Sequence, residues 1–200
     1  QVFVGLTFGI CASAQTDEGD ARILQRGHVP EGVWFVPNEG QFHDDVLAEA
    51  RIHGGDWWLT KQGWKAGMLA SGYDALARHE SAPAGLSKYV LDVEWEGCSI
   101  EYPTIASHPS DHHLSYYRGN DPSKWARAVQ PSGKLKLAHV WPGVHGFIDG
   151  MRGDAAHIKC DWRVDPGADP DQIVAVYRGL ETALQADGSL KHLLGPRVGE

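Results

Sequence analysis

The sequence has little of what membrane, nucleic-acid-binding and zinc proteins need. After residue 15 no apolar run approaches the roughly 20 residues of a membrane-spanning helix, and no cluster of Lys or Arg offsets the net charge of -8. Nucleic-acid binding draws much of its affinity from neutralised phosphates, so we expect no nucleic-acid partner and no membrane insertion of the mature domain. The three cysteines form no Cys-x-x-Cys pair and the 11 histidines form no His-Glu-x-x-His run. Spacing therefore indicates no zinc site.

Motifs of catalysis are also missing. The chain has no Gly-x-Ser-x-Gly run and no glycine loop that could cradle a phosphate. Glu94 and Glu96 lie on the polar side of a predicted strand, and nothing else supports a pair of carboxylates for glycoside hydrolysis. The group of His108, His112 and His113 beside Pro109 is typical of a solvated loop. We therefore predict no catalytic, cofactor-binding or metal-binding residues, no cofactor, and a protein that is not an enzyme.

The first residues look different from the rest of the chain. Residues 1–14 are uncharged and mostly apolar, and they end in Ala12-Ser13-Ala14, a small-x-small pattern that signal peptidase cleaves after. We interpret residues 1–14 as a partial signal peptide that begins partway through, because no Met or basic segment precedes it. The polar residues 15–32 are interpreted as a linker. The alternative for the N-terminus is a buried first strand, but export to the medium or cell surface is our expectation.

Two cysteines remain if Cys11 leaves with the signal. An even pair in an exported protein, Cys98 and Cys160, can form a disulfide. The sequence does not fix their separation in space, so two free thiols stay open as the alternative.

Short apolar or alternating runs separated by Gly, Pro, Asn and Asp dominate residues 33–200. The most regular alternating run, residues 157–165, places four side chains on one face of a strand: Ile158, Cys160, Trp162 and Val164. The predicted strands are 46–53, 56–60, 64–70, 88–96, 114–117, 134–140, 144–149, 157–165, 173–177, 182–186 and 189–193. With about ten short strands and no convincing helix (residues 73–80 are interpreted as irregular), we predict one all-β domain, an antiparallel β-sandwich-like fold.

Turn chemistry supports this order of strands. Asp165-Pro166-Gly167 is typical of a type II turn, and Asp169-Pro170-Asp171 can begin a helical turn. Asp187-Gly188 between two apolar runs predicts a hairpin.

Eight tryptophans are many for a chain of this length. Trp57 and Trp58 are neighbours on a predicted strand and must point to opposite faces, so one of them is a candidate platform for a sugar ring. Core packing is the alternative for both. The pair is the basis of a second functional hypothesis, a carbohydrate-binding module.

Five blocks of residues follow one another in an order that is specific when they are taken together. They are Val36-Pro37-Asn38-Glu39-Gly40-Gln41 with Trp58-Leu59-Thr60; Tyr116-Tyr117-Arg118-Gly119-Asn120-Asp121-Pro122-Ser123-Lys124-Trp125; Val140-Trp141-Pro142-Gly143-Val144; Asp161-Trp162-Arg163-Val164-Asp165-Pro166-Gly167-Ala168-Asp169-Pro170; and Tyr177-Arg178-Gly179 with Asp187-Gly188-Ser189-Leu190. In this order they resemble the domain that precedes SBBP repeats, the β-propeller-type repeats of large secreted bacterial proteins.

The resemblance implies a non-catalytic structural or interaction module of an exported or cell-surface bacterial protein, normally followed by repeats. Its partners would be those repeats, an extracellular glycan or a surface protein. It also implies that the domain is truncated at Glu200. Trp141 and the segment after Val144 depart from the family pattern. The motif residues with implied structural roles are Asn38, Gly40, Gln41, Gly119, Asn120, Asp121, Trp125, Pro142, Gly143, Pro166, Gly167, Asp169, Pro170, Asp187 and Gly188.

Overall fold

The protein is nearly all-β, as the alternation predicts. The computed structural model describes residues 2–6, 32–52, 55–69, 88–101, 103–152 and 157–193. Its strands are β1 (Val2–Leu6), β2 (Phe35–Pro37), β3 (Val46–Ile52), β4 (Gly55–Thr60), β5 (Gly63–Leu69), β6 (Lys88–Trp95), β7 (Thr104–Pro109), β8 (Leu114–Tyr116), β9 (Ala126–Val129), β10 (Ser132–Trp141), β11 (Val144–Arg152), β12 (His157–Val164), β13 (Ala175–Arg178), β14 (Glu181–Leu184) and β15 (Leu190–Leu193). Two 3₁₀ turns, η1 (Pro122–Lys124) and η2 (Pro170–Gln172), interrupt them.

One large antiparallel sheet carries most of these strands. Its order is β1-β12-β11-β10-β2-β3-β4-β5-β6-β13, with β7 added on β10, while β8-β9 and β14-β15 form two small separate sheets. The large sheet curls into a half-barrel. All-β antiparallel architecture is therefore confirmed, whereas two packed layers of a sandwich are not.

A tryptophan cluster joins the two wings of the curled sheet. Trp95 on β6 and Trp162 on β12 lie far apart in strand order, yet their ring centroids are 4.8 Å apart. Trp141 on β10 lies 5.0 Å from Trp162, and its indole N–H donates to the Glu96 carbonyl at 2.8 Å. Burying large aromatic rings removes much apolar surface from water, which favours the curled form over an open one.

Alternation explains which side chains enter this core. On β12, Cys160, Trp162 and Val164 are buried while the residues between them are partly exposed. The same holds for Leu91, Val93 and Trp95 on β6. The pattern predicted for β12 is confirmed, and β6 follows the same rule.

The predicted turns are confirmed as well. Ala168 N–H donates to the Asp165 carbonyl at 3.0 Å and Gly167 has φ +86°, as the third residue of a type II turn requires. Asp169 caps η2, and Asp187-Gly188 lies in the loop between β14 and β15.

Besides β1, three strands are missing from the predicted set, and each has a local cause. β2 ends at Pro37 and β7 ends at Pro109, and proline weakens a strand pattern. β9 contains Ala128 at φ +55°, which breaks the alternation of faces.

The N-terminal predictions are only partly within the described residues. Val2–Leu6 form β1, which pairs with β12 from Val2↔Val164 to Leu6↔Cys160. This is the alternative of a first strand, so export stays a prediction. Residues 7–14, linker residues 15–31 and the irregular segment 73–80 lie outside the described residues. No helix in the described part of the chain is long and apolar enough to cross a membrane.

Candidate functional site: a cleft beneath the β8-β9 ribbon

A cleft of about 300 Å³ lies between the outer face of the large sheet and the small β8-β9 ribbon. Its sheet wall carries Trp34, Glu49 and Arg51, and its ribbon wall carries Leu114, Tyr116 and Arg118. Strand alternation produces the sheet wall: Phe35 and Ala50 point into the core, so their neighbours Trp34, Glu49 and Arg51 face outward.

The sheet wall holds polar groups that are partly withdrawn from water. The Trp34 Nε1 atom is buried and has no hydrogen-bond partner among the described residues. Glu49 on β3 lies opposite Trp58 on β4. The indole N–H of Trp58 donates a hydrogen bond to the Glu49 carboxylate. Burial raises the pKa of Glu49, with a further contribution from Asp56, while Arg51 and Arg118 oppose the shift. Glu49 therefore gives up its proton less readily than an exposed carboxylic acid.

Aromatic contacts hold the ribbon wall. Tyr116 packs edge-on against Phe42 with ring centroids 5.6 Å apart, and the Arg118 guanidinium lies 5.8 Å from the Phe42 ring and 5.9 Å from the Tyr116 ring. Such cation–π contacts orient a guanidinium without neutralising it. Burial, and then the nearby Glu49, raises the pKa of Tyr116, so its phenol stays protonated at neutral pH.

The loop that follows Arg118 closes on itself. Asp121 accepts hydrogen bonds from Ser123 N–H at 3.0 Å and Ser123 Oγ–H at 2.7 Å, which caps η1. Trp125 Nε1–H donates to the Gly119 carbonyl at 3.3 Å, and its ring lies 5.3 Å from Tyr117. Trp125 therefore packs within the ribbon and is not part of the buried core cluster.

The other motif residues also build turns. Asn38 accepts from Gly40 N–H at 3.0 Å and donates to the Val46 carbonyl at 2.7 Å, and the buried Gln41 donates to the Pro37 carbonyl at 2.6 Å. Asp169 accepts from Asp171 N–H at 2.9 Å, and Asp187 accepts from Ser189 N–H at 2.9 Å.

Prolines and glycines complete these turns. Pro142 and Gly143 form the tight turn between β10 and β11, and the Pro142 carbonyl accepts from Gln172 at 3.0 Å. Pro166 lies in the type II turn and Pro170 opens η2. Asn120 is exposed in the ribbon loop.

The two neighbouring tryptophans point to opposite faces of β4, as the sequence predicts. Trp57 is 2% exposed and packs against Phe35 and Trp64 in the core, with ring centroids 5.5 Å and 6.2 Å away. Only Trp58 reaches the outer face, where it is half-buried against Glu49. A buried ring cannot stack on a ligand, so a platform at Trp57 is ruled out by its position.

The two cysteines of the described residues, Cys98 and Cys160, are free thiols. Cys98 is half-buried, with its Sγ 3.7 Å from the Lys61 carbonyl oxygen, and Cys160 is buried in the core. The disulfide alternative is therefore not observed. Burial raises the pKa of Cys160, which makes it a poor nucleophile.

Sequence reasoning missed the residues that line the cleft. One signal was available, because Glu49 and Arg51 alternate with Ala48 and Ala50 and must share the outer face of their strand. Nothing in the sequence indicates that Tyr116 and Arg118 lie above that face. Within the described ranges no group of three or more His, Cys, Asp or Glu side chains could hold a metal ion.

The protein is therefore an all-β domain with a curled antiparallel sheet. The cleft on the outer face of that sheet is large enough for a small ligand. A family model described as "Domain of unknown function (DUF7948)" matches residues 35–195. The match covers well over half of the chain, so the protein belongs to this family. No curated protein and no solved structure matches the chain.

Proposed function

We propose that the domain is a non-catalytic structural or interaction module of an exported or cell-surface bacterial protein, normally placed before β-propeller-type repeats. The observation that carries this proposal is how the motif residues use their polar groups. Asp121, Asp169 and Asp187 each accept hydrogen bonds from residues two positions ahead. Their carboxylates fix loops of a β scaffold and are not gathered in the cleft.

Export is testable with the full-length gene product. A C-terminal epitope tag, followed by fractionation of the bacterial cells, should place the protein in the envelope or the medium, with its N-terminus at Gln15. Replacing the small residue before the cleavage site, Ala14→Leu, should slow processing, whereas the nearby Gln15→Asn should not. A tagged protein that stays in the cytoplasm with residues 1–14 intact would contradict the proposal.

We also propose a second function, carbohydrate binding, because one specific observation favours it. The cleft combines the aromatic rings of Trp34 and Tyr116 with the hydrogen-bonding groups of Glu49, Arg51 and Arg118. Ligand sites combine apolar surface with a few placed polar groups in this way. This site does not include Trp57 or Trp58, the residues that the sequence predicts as candidates.

The second function is tested by incubating the chain with a panel of extracellular polysaccharides. We expect retention on at least one polysaccharide without the release of new reducing ends. Release of reducing ends would show hydrolysis and contradict a non-catalytic module. Absence of retention on the whole panel, with the protein folded, would contradict carbohydrate binding.

A further inference from the structure

Two arginines bring positive charge to the cleft. Arg51 lies on its sheet wall and Arg118 on its ribbon wall. A guanidinium carries only hydrogen-bond donors, so the two side chains together point to a negatively charged acceptor supplied by a ligand.

Arg118 is held in a position suited to such an acceptor. Its guanidinium lies over the Phe42 and Tyr116 rings, at 5.8 Å and 5.9 Å from their centroids. This packing fixes the planar group while leaving its N–H fork available. A guanidinium fork matches a carboxylate with two parallel hydrogen bonds, which is the strongest polar contact that this cleft can offer.

The remaining groups favour a saccharide over a simple anion. Glu49 offers a carboxylate oxygen that can accept from a hydroxyl group, and the Tyr116 ring offers an apolar face. A volume of about 300 Å³ lies at the small end of ligand sites. The chain's net charge of -8 repels extended polyanions. An acidic ligand would therefore have to be short and be held by the charges of the cleft itself.

We propose that the cleft binds a short acidic saccharide, whose carboxylate pairs with Arg118 and Arg51 and whose hydroxyl groups bond to Glu49. The proposal rests on the carbohydrate-binding function and adds the ligand class.

The test compares two matched disaccharides by isothermal titration calorimetry on the full chain. Digalacturonate carries carboxylates where the neutral galactose disaccharide carries hydroxymethyl groups. We expect digalacturonate to bind at least about tenfold more tightly than the neutral disaccharide, because a charge-assisted hydrogen bond is lost in the latter.

Two arginines on the same ribbon provide a matched pair of variants. Arg118→Gln should weaken digalacturonate binding by at least about tenfold. Arg127→Gln is the control, because Arg127 also lies over aromatic rings, those of Tyr117 and Trp125 at 5.9 Å and 5.6 Å, but does not line the cleft. The affinity of the Arg127→Gln variant for digalacturonate should equal that of the unaltered chain.

Each other outcome has a distinct meaning. Equal binding of both disaccharides, or no effect of Arg118→Gln, overturns acidic recognition but leaves carbohydrate binding in place. No binding of either disaccharide also overturns acidic recognition, and the polysaccharide panel then decides the broader function. If Arg118→Gln fails to fold, Arg51→Gln and the comparison of ligands on the unaltered chain decide the same question.

Discussion

His145 shows how a single buried polar residue is satisfied in this fold. It is 5% exposed, and its Nδ1 accepts the His139 backbone N–H at 3.2 Å. Its Nε2 lies 3.0 Å from Asp165 Oδ2, which can only accept while it is ionised. These two bonds require the tautomer with hydrogen on Nε2, since a ring nitrogen that accepts carries no proton. The pair links the start of β11 to the turn after β12.

Asp165 gives a pH-dependent prediction. The His145 hydrogen bond holds the pKa of Asp165 below its ordinary value. A lowered pKa adds stability that is fully present above the unfolded-state value of about 3.9 and is lost as pH falls through the folded-state value. Asp165→Asn should therefore lower the free energy of unfolding at pH 7, and the difference from the unaltered chain should shrink as pH falls below about 4.

Urea denaturation at a series of pH values measures this difference. Asp44→Asn is the control, because Asp44 is exposed in a turn. A difference for Asp165→Asn that does not change with pH would show that the charge of Asp165 is irrelevant.

Two glycines with positive φ allow the cost of backbone strain to be distinguished from the cost of steric crowding. Gly119 has φ +66° and Gly143 has φ +70°, a region that costs a residue with a side chain about 1–2 kcal/mol. A Cβ at Gly119 would meet nothing within 4 Å, whereas a Cβ at Gly143 would lie 2.6 Å from the Ala168 Cβ. Gly119→Ala should cost about 1–2 kcal/mol of stability, and Gly143→Ala should cost clearly more. Chemical denaturation of both variants compares them, and equal losses would refute the role of crowding.

At the scale of elements, the tryptophan cluster closes the curled sheet. Trp162 is 2% exposed and contacts Trp95 and Trp141, at 4.8 Å and 5.0 Å. Trp162→Ala should cost about 3–5 kcal/mol, because it removes the ring that joins β12 to β6 and leaves a cavity. Leu184→Ala is the control: Leu184 is 72% exposed, so its loss should stay within about 0.5 kcal/mol. Similar losses for both would mean that the cluster does not close the sheet.

Local patterns predicted the strands better than their assembly. The alternation of Leu91, Val93 and Trp95 predicts a half-buried strand because side chains on a strand alternate between faces. The curl of the sheet depends on the contact between Trp95 and Trp162. These residues lie far apart in sequence, so no local pattern predicts their contact. The cleft depends on a similar long-range contact, because β8 and β9 form a separate small sheet, and Tyr116 packs on Phe42 in the loop between β2 and β3.

At the scale of the whole molecule, the signal-peptide prediction for residues 1–14 conflicts with the pairing of β1. As a signal peptide they leave the chain, whereas Val2–Leu6 pair with β12 over the whole length of β1. If they leave, β12 becomes an edge strand. Its outward residues Lys159, Asp161 and Arg163 are charged, which is how natural edge strands resist pairing with other chains. The core residues of β2–β6 and β10–β12 all lie after residue 32 and would remain in the shortened chain.

We therefore expect a chain that begins at Gln15 to fold. It should show the β-type circular dichroism spectrum of the full chain, unfold cooperatively in urea and elute as a monomer. A matched variant, Lys159→Val with Arg163→Val in the shortened chain, should associate, because it removes the charges that protect the new edge. Loss of cooperative unfolding in the chain from Gln15 would instead make β1 part of the domain, and would contradict the prediction that residues 1–14 are removed as a signal peptide.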